Sequence, residues 1–326
     1  MVLKRGSALM SQDRGFSPII CIVGPTASGK SSLAQKVALN LGGEVVSADS
    51  MQIYRGMDIG TAKLTAKEMY VPHHLIDIVD PGEPFSAQVF QERARTAFRD
   101  IQDRERIALL CGGTGLYVQA ALEAMEFPAG EQRSNPLREH YEGLVRERGA
   151  QYLWDHLAVI DSASARLIHP NNTRRVIRAL EMNHEGVSYA HQVQNLKSLD
   201  EVVPSLRFGL KVDPDVLNRR IERRVDMMME KGLVGEVTSL LRQGFEGALT
   251  APQAIGYKEI VSAFKDGTPI EEAFDRIKTA TRRYAKRQRS WFKRDNRIVW
   301  LDTDENTEDE MCEKIEEAYR RFLLRR

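Results

Sequence analysis

Residues Gly24 to Ser31 read GPTASGKS, the spacing G-x-x-x-x-G-K-[ST] of a loop that wraps phosphate. Glycines let the backbone curl until its N–H groups point at phosphate oxygens, and a helix starting directly after the loop adds its positive end. Lys30 supplies a full positive charge, and Ser31 offers a hydroxyl able to ligate Mg²⁺. Gly24, Pro25, Thr26, Ala27, Ser28, Gly29, Lys30 and Ser31 are therefore the candidate phosphate-binding residues, with Ser31 the candidate metal ligand. A nucleoside triphosphate site usually adds an acid at a strand end to steer Mg²⁺. Here IALLCGG (107–113) runs into glycines, Asp77 and Asp80 of LIDIVD stand as alternatives, and no base-binding motif is evident. The loop is thus open to a diphosphate that is not part of a nucleotide.

A second chemical group is Asp49, which opens DSMQIYRGMDIGTAK directly after the apolar run EVVSA. A carboxylate at the carboxyl edge of a strand sits where open α/β sheets place ligands. It repels phosphate, so it would hold Mg²⁺ or take a proton from a nucleophile, the latter worth about 10²–10⁴ in rate. The structural alternative is a turn aspartate bonding its own backbone. Ser50, Gln52 and Tyr54 are polar neighbours able to read a hydrogen-bonding substrate.

Basic clusters are the third signal. TRRYAKRQRSWFKR (281–294) has seven Lys/Arg and no acid. On a helix, Arg282, Lys286, Arg289 and Lys293 form one stripe, and Tyr284, Gln288 and Trp291 another. Basic residues interleaved with aromatics suit an RNA backbone and stacked bases, although Trp291 and Phe292 also fit a core. Arg174, Arg175 and Arg178 make a smaller patch. Arg219, Arg220, Arg223 and Arg224 alternate with Glu222 and Asp226, so part of that group reads as surface ion pairs. The adjacent His73 and His74 read as packing rather than a chelate, and Met227 to Met229 as helix packing.

These groups need elements to hold them. PIICIV (18–23) reads as a buried parallel strand entering the loop, and Leu33, Ala34, Val37, Ala38 and Leu41 as a helix stopped by Gly42-Gly43. EVVSADS, LIDIV (75–79) and IALLCGG read as further strands, with a helix capped by Ser86 between the last two. From about Met125 to Val203 the pattern is helical, broken at Gly149, at Pro170-Asn171 and at HEGVSYAHQ. LRFGLKV (206–212) and RIVWL (297–301) then return to strand, and the acidic end reads as an amphipathic helix with a solvated charged face. The expected class is α/β: a P-loop NTPase-like core whose parallel sheet is flanked by helices, plus an inserted all-helical domain. The expected boundaries are a short extension at 1–17, a core at 18–125 and 204–326, and the insert at 126–203.

The totals agree. The 326 residues are 42% hydrophobic with a net charge of +1, enough for a sizeable core and without a global electrostatic bias. Three scattered cysteines exclude a disulfide framework or a cysteine-built zinc site. No apolar run approaches the roughly 18 residues of a membrane span, and the first residues lack an apolar signal region. A cytoplasmic protein is expected.

GPTASGKS, SADSMQIYRGMDIGTAK, PHHLIDIVDP, GGTGLY, NNTRRVIRALE, AIGYKE and YAKRQRSWFKRD occur in that order. Together they resemble the tRNA dimethylallyltransferase family, bacterial type, over about Pro18 to Leu301; nothing in the chain matches the zinc finger of eukaryotic members. The resemblance implies transfer of a dimethylallyl group from dimethylallyl diphosphate to the exocyclic N6 amine of the adenosine beside the tRNA anticodon, with release of pyrophosphate. It implies that Gly24–Ser31 grip the diphosphate with Mg²⁺ at Ser31, that Arg220 and Arg224 reach it, and that Asp49, Thr26 and Lys30 are catalytic. The implied tRNA contacts are Asp49, Ser50, Met51 and Gln52; Thr114; Arg174, Arg175, Val176, Ile177 and Arg178; Gln253, Ala254, Ile255, Gly256, Tyr257 and Lys258; and Lys286, Arg287, Gln288, Arg289, Ser290, Trp291, Phe292 and Lys293. A monomer is expected, with no membrane partner. Two rivals share these residues: a P-loop small-molecule kinase, in which Asp49 deprotonates an acceptor hydroxyl, and a non-catalytic RNA-binding module with a vestigial loop.

Overall fold

The structure, a computed structural model, describes residues 16–127, 136–196, 199–247 and 250–324. The expected extension therefore lies outside the described residues up to residue 15. Contacts divide the chain into two compact units, Met1–Leu122 with Val202–Arg326, and Glu123–Glu201.

The first unit begins with β1 (Ile19–Val23), α1 (Lys30–Leu41), β2 (Gly43–Ser47), β3 (His73–His74), α2 (Ala87–Asp103), β4 (Ile107–Gly112) and α3 (Gly115–Leu122). The second unit holds α4 (Pro136–Ile160), α5 (Ser162–Leu167), α6 (Thr173–His184) and α7 (Tyr189–Asn195). The first unit then resumes with β5 (Ser205–Lys211), α8 (Pro214–Glu230), α9 (Leu233–Arg242), α10 (Tyr257–Asp266), α11 (Ile270–Phe292), β6 (Ile298–Asp302) and α12 (Glu308–Leu324). Among the described residues six strands form one sheet in the order β3-β2-β4-β1-β5-β6, and every pairing is parallel.

Burial on both faces explains why β1 has no polar alternation. Ile19, Cys21 and Val23 face a core built with Phe90 and Phe98 of α2 and Ile221 and Ile277 of α8 and α11. Ile20 and Ile22 face the opposite core, with Leu33 and Val37 of α1 and Met311 and Ile315 of α12. Ser86 caps α2 through the Val89 N–H, and Gly42 ends α1 in the left-handed conformation, as the spacing predicted. The three cysteines are buried, and none of them is in a disulfide.

Three expectations are corrected. LIDIV is not a strand: Leu75 and Asp77 have φ of 62° and 54°, which breaks an extended run. The pairing falls instead on His73–His74, with an isolated bridge from Tyr54 to Val79. HEGVSYAHQ does break helical structure, since α6 ends at His184, but over a shorter span than expected: α7 begins within it at Tyr189, its N-terminus capped by Ser188. The charged side of α12 is not merely solvated: Glu308 accepts from the Ser32 hydroxyl at 2.8 Å, and Glu316 from Asn40 at 2.8 Å, tying α12 to α1.

In the second unit, Leu153, Leu157, Val176, Ile177 and Leu180 form a separate core. Gly149, at φ 84° and ψ 168°, interrupts α4 where the sequence predicted a break. Glu181 is buried and bonded by both Arg138 nitrogens at 2.7 and 2.9 Å. Among the described residues no helix is long and apolar enough to cross a membrane.

Candidate active site

Strands β2, β4 and β1 are neighbours, so the loops after them converge at their carboxyl ends. The phosphate loop leaves β1, Asp49 follows β2, and Gly113-Thr114 follows β4. Gly29 caps α1 with φ 94°, which turns the loop into the helix start where N–H groups and the helix dipole attract anions. Ser28 Oγ is buried without a hydrogen-bond partner among the described residues. Lys30 Nζ donates to Pro25 O at 3.1 Å. Burial lowers the Lys30 pKa from its usual value, with Arg224 adding repulsion, while Cys111 and the Asp49 carboxylate oppose the fall.

Asp49 closes a turn and also borders a cavity. Its Oδ1 accepts from the Met51 N–H at 2.9 Å and the Gln52 N–H at 3.4 Å, a turn aspartate. The same side chain borders a cavity of about 260 Å³ with Thr26, Lys30 and Arg224. Thr114 Oγ1 accepts from the Ser50 N–H at 3.1 Å, linking the loops after β4 and β2.

Helices α8 and α11 form the wall opposite. Arg282 bonds Glu222 at 2.7 Å and Lys278 pairs with Asp226 at 2.6 Å, so the two helices run antiparallel. Ile277, Thr281, Tyr284 and Gln288 share the inner face of α11 and line the cavity, as do Arg224, Val225 and Met228 of α8. Gln288 stands at the phosphate loop, so Ile277 lies about 16 Å along the helix from it. Basic residues (Lys30, Arg224, Lys258 and Arg287) and apolar ones (Val225, Met228, Ile255 and Ile277) both line the cavity. Burial pushes the Tyr284 phenol up to about 12, with the Asp49 carboxylate adding to the shift.

Gln288 fixes this arrangement. Its Oε1 accepts from the Thr26 N–H at 2.9 Å and its Nε2 donates to Gly113 O at 2.9 Å. A Cβ on Gly113 would sit 2.1 Å from Gln288 Nε2, so the glycine is what admits the amide. Gln288→Ala leaves a loop N–H and a buried carbonyl without their partner. The expected loss is about 1–3 kcal/mol of stability, read from urea unfolding; an unchanged midpoint would contradict the clamp.

The family model described as IPP transferase matches residues 52–295, and a second, described as isopentenyl transferase, matches residues 17–74. A tRNA dimethylallyltransferase of Desulforudis audaxviator is 46% identical over 290 residues, covering 88% of this chain and 93% of that protein. That of Carboxydothermus hydrogenoformans is 44% identical, covering 91% and 96%. The chain belongs to the tRNA dimethylallyltransferase family. Among solved structures, a Staphylococcus epidermidis tRNA isopentenylpyrophosphate transferase superposes with a TM-score of 0.69 at 38% identity, covering 94% of this chain and 99% of that one. A eukaryotic dimethylallyltransferase described as acting on tRNA gives 0.70 at 29% identity, covering 88% and 74%.

Within this dimethylallyltransferase-family chain, several residues singled out in the sequence stand elsewhere than expected. Val176 and Ile177 are buried in the second unit's core, while Arg174 and Arg175 are exposed and Arg178 pairs with Glu181. Tyr54 is fully buried, so it cannot read a substrate. Gln52 is turned inward, accepting from Ser47 Oγ and donating to Thr61 O. Tyr257 is fully buried, and Gly256 stands at the start of α10 with a φ of 99°, which favours glycine. Phe292 is core, Gln288 clamps the loop, and Trp291 packs over Gly115 while remaining half-exposed. Arg220 is exposed one helical turn from Arg224 and does not line the cavity. Lys286, Arg287 and Ser290 are exposed on α11, as is Lys293 just after it, and Arg289 is half-buried. His73 and His74 bond Val71 O and Glu44, as packing residues do. Thr61, Met228, Ile277 and Thr281 line the cavity without having been singled out for it. Extending the Tyr284–Gln288 stripe back by helical turns reaches Thr281 and Ile277; Thr61 carries no such signal.

Proposed function

We propose that this chain transfers the dimethylallyl group of dimethylallyl diphosphate to the N6 amine of the adenosine adjacent to the tRNA anticodon, releasing pyrophosphate. The observation that carries the reading is the single cavity that joins Lys30 and Arg224 to Asp49 and to the apolar side chains of Val225, Met228 and Ile277. A diphosphate, a base and a hydrocarbon wall are what prenyl transfer to an amine needs.

The N–H groups of Ala27, Gly29, Lys30 and Ser31, the Thr26 hydroxyl, Lys30 Nζ and Arg224 hold the diphosphate. The N6 lone pair forms the new bond to the allylic carbon as the carbon–oxygen bond breaks and its electron pair passes to pyrophosphate. Fixed donors stabilise the charge that grows there. Asp49 takes the proton that N6 loses. Adenine's amine is a poor nucleophile because its lone pair is delocalised into the ring, so losing the proton as the bond forms helps. The apolar walls and Tyr284 keep water from the allylic carbon.

Among the described residues no group of three His, Cys, Asp or Glu side chains is placed to hold a metal ion. Mg²⁺ commonly keeps waters and binds through one or two protein oxygens plus substrate phosphates, and the Ser31 hydroxyl at the start of α1 suits that mode. When bound, Mg²⁺ neutralises diphosphate charge.

For tRNA, the reading assigns Asp49, Ser50, Met51 and Thr114 to the target nucleotide. Gln253, Ala254, Ile255 and Lys258, the exposed Lys286 and Arg287 and half-buried Arg289 of α11, Lys293 just after it, and Arg174 and Arg175 of the second unit are assigned to the surrounding RNA. The base must leave the anticodon stack to enter a closed cavity.

The test supplies unmodified tRNA, Mg²⁺ and either labelled dimethylallyl diphosphate or labelled ATP. Label carried into tRNA from the prenyl donor alone supports the reading. Phosphoryl transfer from ATP supports the small-molecule kinase instead, and tRNA binding without turnover a binding module.

A further inference from the structure

Behind the cavity wall, one carboxylate gathers four donors. Glu236 of α9 accepts at Oε2 from the Asp58 N–H at 3.0 Å and the Ile59 N–H at 2.8 Å. At Oε1 it accepts from the Gly60 N–H at 3.2 Å and the Tyr257 hydroxyl at 2.6 Å. Three successive backbone N–H groups converging on one carboxylate fix the course of the loop that carries them. Tyr257 locks it from a second side: a Cβ on Gly60 would sit 2.4 Å from its ring.

The next residue of that loop reaches the site. Thr61 O accepts from Arg224 Nη2 at 3.3 Å and from Gln52 Nε2 at 3.3 Å. Gly60, Thr61 and Arg224 all line the cavity, whereas Glu236 does not. Among the described residues, the Thr61 carbonyl is the acceptor that holds Arg224. A long side chain held by one carbonyl takes its position from the backbone that presents that carbonyl.

We propose that Glu236 is a positioning residue for Arg224: by fixing the Asp58–Gly60 backbone it sets the Thr61 carbonyl, and thereby the guanidinium that receives the diphosphate. This deepens the function proposed above and rests on its assignment of Arg224 to the diphosphate. It differs from a general structural role in one respect. The effect of losing the Glu236 carboxylate must travel through Arg224.

The test measures binding of inorganic pyrophosphate by calorimetry to the full chain carrying Glu236→Gln, Arg224→Ala or both, with thermal melting beside it. Glu236→Gln replaces an acceptor oxygen by a donor and deprives at least one loop N–H of its partner. Pyrophosphate affinity is expected to fall about tenfold, the size of one lost hydrogen bond to a charged group. In the Arg224→Ala background the same change is expected to cost less than about twofold, because coupled residues are not additive. Unchanged affinity in Glu236→Gln, or an equal loss with and without Arg224, overturns the proposal. Should Glu236→Gln not yield folded protein, Glu236→Asp carries the same cycle, since its shorter side chain cannot span all four donors; an expected loss of about threefold again vanishes without Arg224. Because pyrophosphate binding is read directly, a wild-type chain that binds it but transfers no prenyl group overturns the proposed function and leaves the role of Glu236 standing.

Discussion

Replacing Asp49 by asparagine is expected to lower the single-turnover rate of prenyl transfer about 10²- to 10⁴-fold, the range of a positioned general base. Asparagine is the informative change because Asp49 does two things. Its Oδ1 closes the turn through the Met51 and Gln52 N–H groups, and an amide oxygen still accepts both bonds. What asparagine cannot do is take a proton from N6. The melting temperature and the tRNA affinity should therefore stay near wild type while the rate collapses. Asp49→Ala loses the turn bonds as well and is expected to be less stable than the asparagine variant. A rate within about threefold of wild type for Asp49→Asn would remove the residue from the base role.

Lys30→Ala is expected to cost about 10²–10³ in kcat, the scale of removing one fixed donor from a developing anion. Its ammonium donates to Pro25 O and is attracted by the Asp49 carboxylate, while the Arg224 guanidinium repels it. Loss of the cation also leaves Asp49 and an incoming diphosphate facing each other with one less positive charge between them, so the KM for the donor should rise too. Affinity for tRNA should change by less than about twofold, since phosphate contacts made elsewhere on the surface dominate RNA binding. Steady-state kinetics in both substrates reads all three. An unaltered kcat would mean the loop does not carry the leaving group.

Much of this was legible in the sequence because it rests on local rules. A run such as IICIV has no polar alternation, so it must be buried on both faces, and the loop after it has its own residue grammar. Asp49 was singled out because it follows a strand directly, whereas Thr114 came only from the family resemblance; the adjacent strands β2 and β4 bring their loops together. What stayed hidden depends on partners far along the chain. Gln288 looks like one more polar residue in a basic helix until Thr26 and Gly113 close on its two ends. Phe292, Val176 and Ile177 sit near arginines in the sequence, yet a helix turns about 100° per residue, so exposed and buried side chains adjoin, and these three point into cores. LIDIV has the composition of a strand, but Leu75 and Asp77 take positive φ, which no apolar pattern reveals. Glu236 carries no sequence signal at all: its four donors come from residues 58–60 and 257, gathered only by the fold.

The most direct measurement is a crystal structure of the chain with a non-reactive thio analogue of dimethylallyl diphosphate. The account predicts both phosphorus atoms inside the Gly24–Ser31 loop, within hydrogen-bond reach of its N–H groups and Lys30, with the five-carbon tail in the cavity bordered by Asp49 and Tyr284. A diphosphate bound away from Lys30, with that loop left empty, would contradict it.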